Sequence, residues 1–132
     1  MDEIRKRIKS ADAVAAYEVL LKGMTDLGLE CRRPRKGFVK SANFWRERWY
    51  PFSIIANQAD LLFYIRTPAL RLRSGIREIA EKQHPGEVNT GPRGDPAENK
   101  AKEVKVRVRS ASDAMKLLEW LGPIARQMRD HA

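Results

Sequence analysis

Apolar and polar positions alternate most sharply in "EVKVRVRS", residues 103–110. On a strand, Val104, Val106 and Val108 share one face, and Lys105, Arg107 and Arg109 share the other. A second stretch, "FSIIANQADLLFYIRTP", has two runs rich in β-branched and aromatic residues around "NQAD". Its Asn and Asp suit a tight turn, so the pattern predicts a β-hairpin, Phe52 to Ala56 and Leu61 to Arg66, closed by Pro68. Phe52, Ile54, Ala56, Leu61, Phe63 and Ile65 then form a core face. Ile55, Leu62, Tyr64 and Arg66 fall on the opposite one.

Three stretches follow helical spacing instead. Val14, Tyr17, Leu20, Leu21, Met24 and Leu27 make one apolar stripe, with Ser10 or Asp12 as its start cap and Gly28 as its stop. In "ALRLRSGIREIAEKQ", Leu70, Ile76, Ile79 and Ala80 face the sheet, and Gly75 weakens the middle, so the regular helix begins near Ser74. In "SASDAMKLLEWLGPIARQM", Ala114, Leu117, Leu118 and Leu121 form the stripe. Gly122 and Pro123 are predicted to break it before a short last helix. Phe38 to Ser41 reads as a short strand. Phe44 to Tyr50 is ambiguous; if extended, Trp45, Glu47 and Trp49 lie opposite Phe44, Arg46, Arg48 and Tyr50. Residues 84–102 have no periodicity and are expected to form a mobile internal loop that orders on binding.

The element order is therefore α-β-β-β-α-β-α. Residues 1–132 are expected to form a single two-layer α+β domain, with a mostly antiparallel sheet and its helices on one face.

Charge narrows the function classes. The 132 residues carry 26 Lys and Arg against 17 Asp and Glu, a formal net charge of +9. Charged residues reach 33%, above the typical level of about 25%. The commonest partners of such an excess are nucleic acids or anionic surfaces. No apolar run approaches the length of about 20 residues that spans a membrane, and "MDEIRKRIKS" is not followed by a signal-peptide core, so a cytoplasmic protein is expected. The lone cysteine, Cys31, has no internal disulfide partner. No Cys/His cluster has zinc-ligand spacing, and no cofactor signature is present.

Three functions remain. The first is a non-catalytic nucleic-acid-binding module, for DNA or RNA. Lys105, Arg107 and Arg109 would contact phosphates, with Arg46, Arg48, Arg66, Arg71 and Arg73 as a wider field and Tyr64 and Trp45 as stacking residues. The second is a protein-interaction or inhibitor module, a homodimer or the binder of an acidic protein, using Trp45, Trp49, Tyr50, Arg46 and Arg48. The third is a divergent restriction-endonuclease-like nuclease. The element order suits that fold, and "EVK" looks like half of its acid-x-lysine metal motif, with Asp60 as the acid nearest the hairpin.

Two stretches, "YPFSIIANQADLLFYIRTPAL" and "VKVRVRSASDAMKLLEWL", together resemble a hairpin-strand-helix pattern found in uncharacterised bacterial domains that accompany restriction-type HNH nucleases. The likeness covers about residues 50 to 121. The HNH motif is absent. The resemblance implies a nucleic-acid-linked context and carries over no catalytic residue.

Overall fold

The computed structural model describes residues 3–32, 41–89 and 103–130. The elements are α1 (Glu3–Arg7), α2 (Ala11–Asp26), β1 (Glu30–Arg32), β2 (Ser41–Arg46), β3 (Trp49–Ala56), β4 (Leu61–Ile65), α3 (Thr67–Leu72), α4 (Ile76–Gln83), β5 (Val104–Val108) and α5 (Ala111–Asp130). The five strands form one antiparallel sheet in chain order, β1-β2-β3-β4-β5. This is the α+β class.

Period-two patterning decides which sheet face is covered. Ala42 and Phe44 on β2, Phe52, Ile54 and Ala56 on β3, Leu61, Phe63 and Ile65 on β4, and the three β5 valines are all buried. They belong to one core that also takes the apolar stripes of all five helices. The helices therefore share a single face, and the other face of the sheet carries the half-buried residues. All six expected core positions of the hairpin are in place.

Local rules explain most boundaries. The Ser10 hydroxyl accepts the Ala13 N–H at 3.2 Å and caps α2. Gly28 follows its end with φ +85°, a conformation that a side chain would strain. Gly75, also at φ +85°, separates α3 from α4, so the expected second helix is two helices. At the N-terminus, Ile4 and Ile8 anchor a separate short helix in the core.

Three expectations are corrected. Phe44 to Tyr50 is not one extended run: Glu47, at φ 56°, and Arg48 form a tight turn between β2 and β3. Between the pairs Phe44↔Phe52 and Arg46↔Trp49, Tyr50 and Pro51 oppose Trp45 alone. That bulge accommodates Pro51, which has no N–H to give a central strand. Next, α5 runs unbroken through Pro123. An interior proline costs about 3 kcal/mol. Beyond it, however, Ile124, Ala125 and Met128 continue the buried stripe, and full burial of Ile and Met contributes about 1.5–3 kcal/mol each. Packing thus outweighs the local penalty. Lastly, the first part of the expected loop is not free. Asn89 N–H donates to the Lys105 carbonyl at 2.8 Å, and Arg107 N–H to the Glu87 carbonyl at 2.9 Å, so Glu87 to Asn89 cover part of the β5 edge. Residues 90–102 and Phe38 to Lys40 lie outside the described residues.

Helices α2 and α5 approach closely at Gly23, where an added Cβ would lie 2.4 Å from Leu118 Cδ1 and 3.1 Å from its Cγ. Gly23→Val is expected to lower stability by about 1–3 kcal/mol through overpacking, despite removing a helix-weakening glycine. A urea midpoint shifted to lower concentration at unchanged slope checks it.

Candidate nucleic-acid interface

The register of β4 and β5 fixes the charged face. Leu62 pairs with Arg107 and Tyr64 with Lys105, so the basic residues do emerge together, opposite the valines. They are not equivalent. Arg107 is only 5% exposed and its Nη1 donates to Asp60 Oδ2 at 2.7 Å. Arg109 donates through Nε to Glu87 Oε2 at 2.9 Å, and that hydrogen bond pushes its guanidinium above the ordinary value. Lys105 lies over the Tyr64 ring at 5.9 Å. The uniform cationic row is thus a buried ion pair, a half-exposed ion pair and a lysine on a ring.

Arg46 departs furthest from its expected role. It is 7% exposed, on the core side of β2, and its Nη2 donates to the Leu27 carbonyl at 2.8 Å. A cation there satisfies a terminal carbonyl and suits the negative end of α2. Trp49 also turns toward the core. Arg48, Arg71 and Arg73 are exposed, Arg48 in the β2–β3 turn and the other two on and just after α3.

The rest of the open face forms an unbroken chain of contacts across the sheet. The Arg32 guanidinium carbon lies 4.9 Å from the Trp45 ring centroid. Trp45 and Tyr50 rings are 4.8 Å apart, tilted by 42°. Arg66 lies over Tyr50 at 4.3 Å, and its Nε donates to Glu103 Oε2 at 2.7 Å. Burial works against the Arg66 charge, but hydrogen bonds to Tyr50 and Glu103 outweigh it and raise its pKa. Plain alternation puts Tyr50 opposite Trp45; the bulge brings them together. Alternation also gives no sign of Arg32, whose strand β1 has only three residues and no periodic signal. In the next row, Arg32 pairs with Asn43, Asn43 with Ser53, Ser53 with Tyr64 and Tyr64 with Lys105. Two small polar residues therefore sit between Arg32 at one end and Tyr64 and Lys105 at the other.

The two acids of the nuclease reading are far apart. Asp60 precedes the Leu61↔Val108 pair, and Glu103 precedes Val104, which pairs with Ile65. Five ladder residues separate them, roughly 13 Å or more of strand, too far to share a metal ion. Each carboxylate already holds an arginine. Among the described residues no group of three or more His, Cys, Asp or Glu could hold a metal, and no helix is long and apolar enough to cross a membrane.

His84, the first residue of the expected mobile loop, is buried. Its Nε2 accepts the Trp120 indole N–H at 2.9 Å, so the neutral ring carries its proton on Nδ1. Burial pushes its pKa below the ordinary 6.5, and Lys116 adds to the effect against Asp113 and Glu87.

Two outcomes follow. Asp60→Asn leaves Arg107 buried beside a neutral amide and should cost about 3–5 kcal/mol, whereas Asp60→Leu combined with Arg107→Met should cost clearly less; chemical denaturation of both variants measures the difference. For His84, the unfolded ring titrates near 6.5 and the folded one lower. Its stabilising contribution is therefore full above that pH and is lost as pH falls through the folded value. Between about pH 7.5 and about pH 5.5, melting temperature should fall less in His84→Gln than in the parent.

No protein-family model, no curated protein and no solved structure matches the chain, so its functional reading rests on the geometry above.

Proposed function

We propose that this protein binds nucleic acid without catalysis, through phosphate contacts made from the open sheet face. One observation carries the reading: on that single face, Arg32, Arg66 and Lys105 each lie over an aromatic ring, in a chain of net charge +9. A sheet with one face packed and the other lined by cations and rings can neutralise phosphates over an extended path. Arg48, Arg71 and Arg73 widen the positive field. Arg46 and Arg107 serve the fold, and Arg109, Arg66 and Arg32 contribute as far as Glu87, Glu103 and Glu30 release them.

Anisotropy titrations of labelled DNA and RNA oligonucleotides at increasing salt test this. Affinity should fall steeply with salt. The combined Arg32→Gln, Arg66→Gln and Lys105→Gln variant should flatten the log–log slope by about 0.7 to 0.9 for each phosphate no longer neutralised. Removing the competing acid with Glu103→Gln should tighten binding. Absence of binding at low salt would overturn the reading. Retained net charge with a stable complex formed only with an acidic protein would move the same face to a protein partner.

A further inference from the structure

Resting on that reading, we infer that the ligand is a single strand, and that Trp45, Tyr50 and Tyr64 are base-stacking seats held closed by the protein's own cations. The planar guanidinium groups of Arg32 and Arg66 lie 4.9 Å and 4.3 Å from the ring centroids of Trp45 and Tyr50. At these distances the guanidinium carbon covers the ring face on which a flat aromatic partner would stack. A base arriving at either ring would therefore take the space that the guanidinium now fills. The Lys105 ammonium stands over Tyr64 in the same way, at the looser distance of 5.9 Å.

Displacement favours the strand twice. A base on an aromatic face is held more strongly than an exposed cation in the same seat. The released cation then stands beside the backbone, where a phosphate can replace the ring as its partner. To leave Tyr50, Arg66 must exchange the ring for a phosphate while Glu103, which holds its Nε at 2.7 Å in the seated position, keeps or releases it. Three rings on one face also supply successive seats. Trp45 and Tyr50 adjoin at 4.8 Å, and Tyr64 stands in the neighbouring row beyond Ser53. Asn43, half-buried beside the buried Ser53, offers an amide to sugar or base edges. A duplex offers no such fit, since its bases are stacked on each other and expose edges and backbone but no faces for a ring to stack on.

The test uses the unmodified protein. Its affinity is compared for an oligothymidylate of about 12 nucleotides, an abasic strand of equal length and charge, and a duplex of equal length. The base-bearing strand is expected to bind about tenfold or more tightly than the abasic one, at similar salt slope, and to quench tryptophan fluorescence. Trp45→Leu should remove most of that preference and Trp45→Phe should retain it. Equal binding of the abasic strand, or a duplex bound as tightly as the oligothymidylate, overturns the stacking inference and leaves phosphate binding standing. Failure of all three probes to bind at low salt overturns both.

Discussion

One carboxylate ties the two parts of the sheet together. Asp60 accepts the Asn57 amide on Oδ1 and so closes the turn between β3 and β4. Its Oδ2 accepts Arg107 from β5, a strand that arrives 47 positions later in the chain. Both partners are withdrawn from water, so neither tolerates the removal of the other. A one-residue slip of β5 would turn its valines outward and bring Arg107 to the apolar face. The pair and the valines therefore specify the same register by independent means, one electrostatic and one hydrophobic.

With the register fixed, the chemistry of the open face follows from which cation meets which neighbour. Toward the Asp60 end, acids from the turn and from the segment beside β5 take up Arg107 and Arg109. Toward the other end, Arg32, Arg66 and Lys105 lie over rings, and Arg32 and Arg66 are also ion-paired, to Glu30 at 2.8 Å and to Glu103 at 2.7 Å. A carboxylate holds a guanidinium more firmly than a wet aromatic face does. What distinguishes the cations is therefore burial: the Arg107–Asp60 pair is withdrawn from water, whereas the Arg66–Glu103, Arg32–Glu30 and Arg109–Glu87 pairs are partly exposed.

Period-two patterning makes the centre of the sheet legible from sequence. Every inward residue of β3, β4 and β5 named from alternation is buried, because hydrophobic burial acts strand by strand. The site is only partly legible. Alternation shows that Arg107 opposes the valines, but not that a turn acid waits beneath it; that is a long-range fact. Alternation puts Tyr50 on the wrong side because a bulge changes strand phase, and the only local signal of that bulge is the proline at position 51. Arg46 looks like a surface cation because nothing in "FWRERWY" reveals the end of α2 beside it. Pro123 looks like a stop because local propensity cannot weigh the apolar residues that follow. His84 likewise gives no sign of Trp120, which is 36 positions away.

The order of the strands has a consequence for how the chain reaches this state. Strands β1 to β4 are neighbours in sequence as well as in space, so their pairing needs only local loop closures. β5 follows two intervening helices, so its pairing with β4 closes the longest loop between neighbouring strands of the sheet. Until it docks, β4 is an edge strand bearing Leu61, Leu62, Phe63, Tyr64 and Ile65, a sequence well suited to pairing with another copy. Asp60 stands at the head of that strand. Before it becomes the partner of Arg107, it is a negative charge beside an unpaired apolar edge, the position at which a gatekeeper residue discourages aggregation.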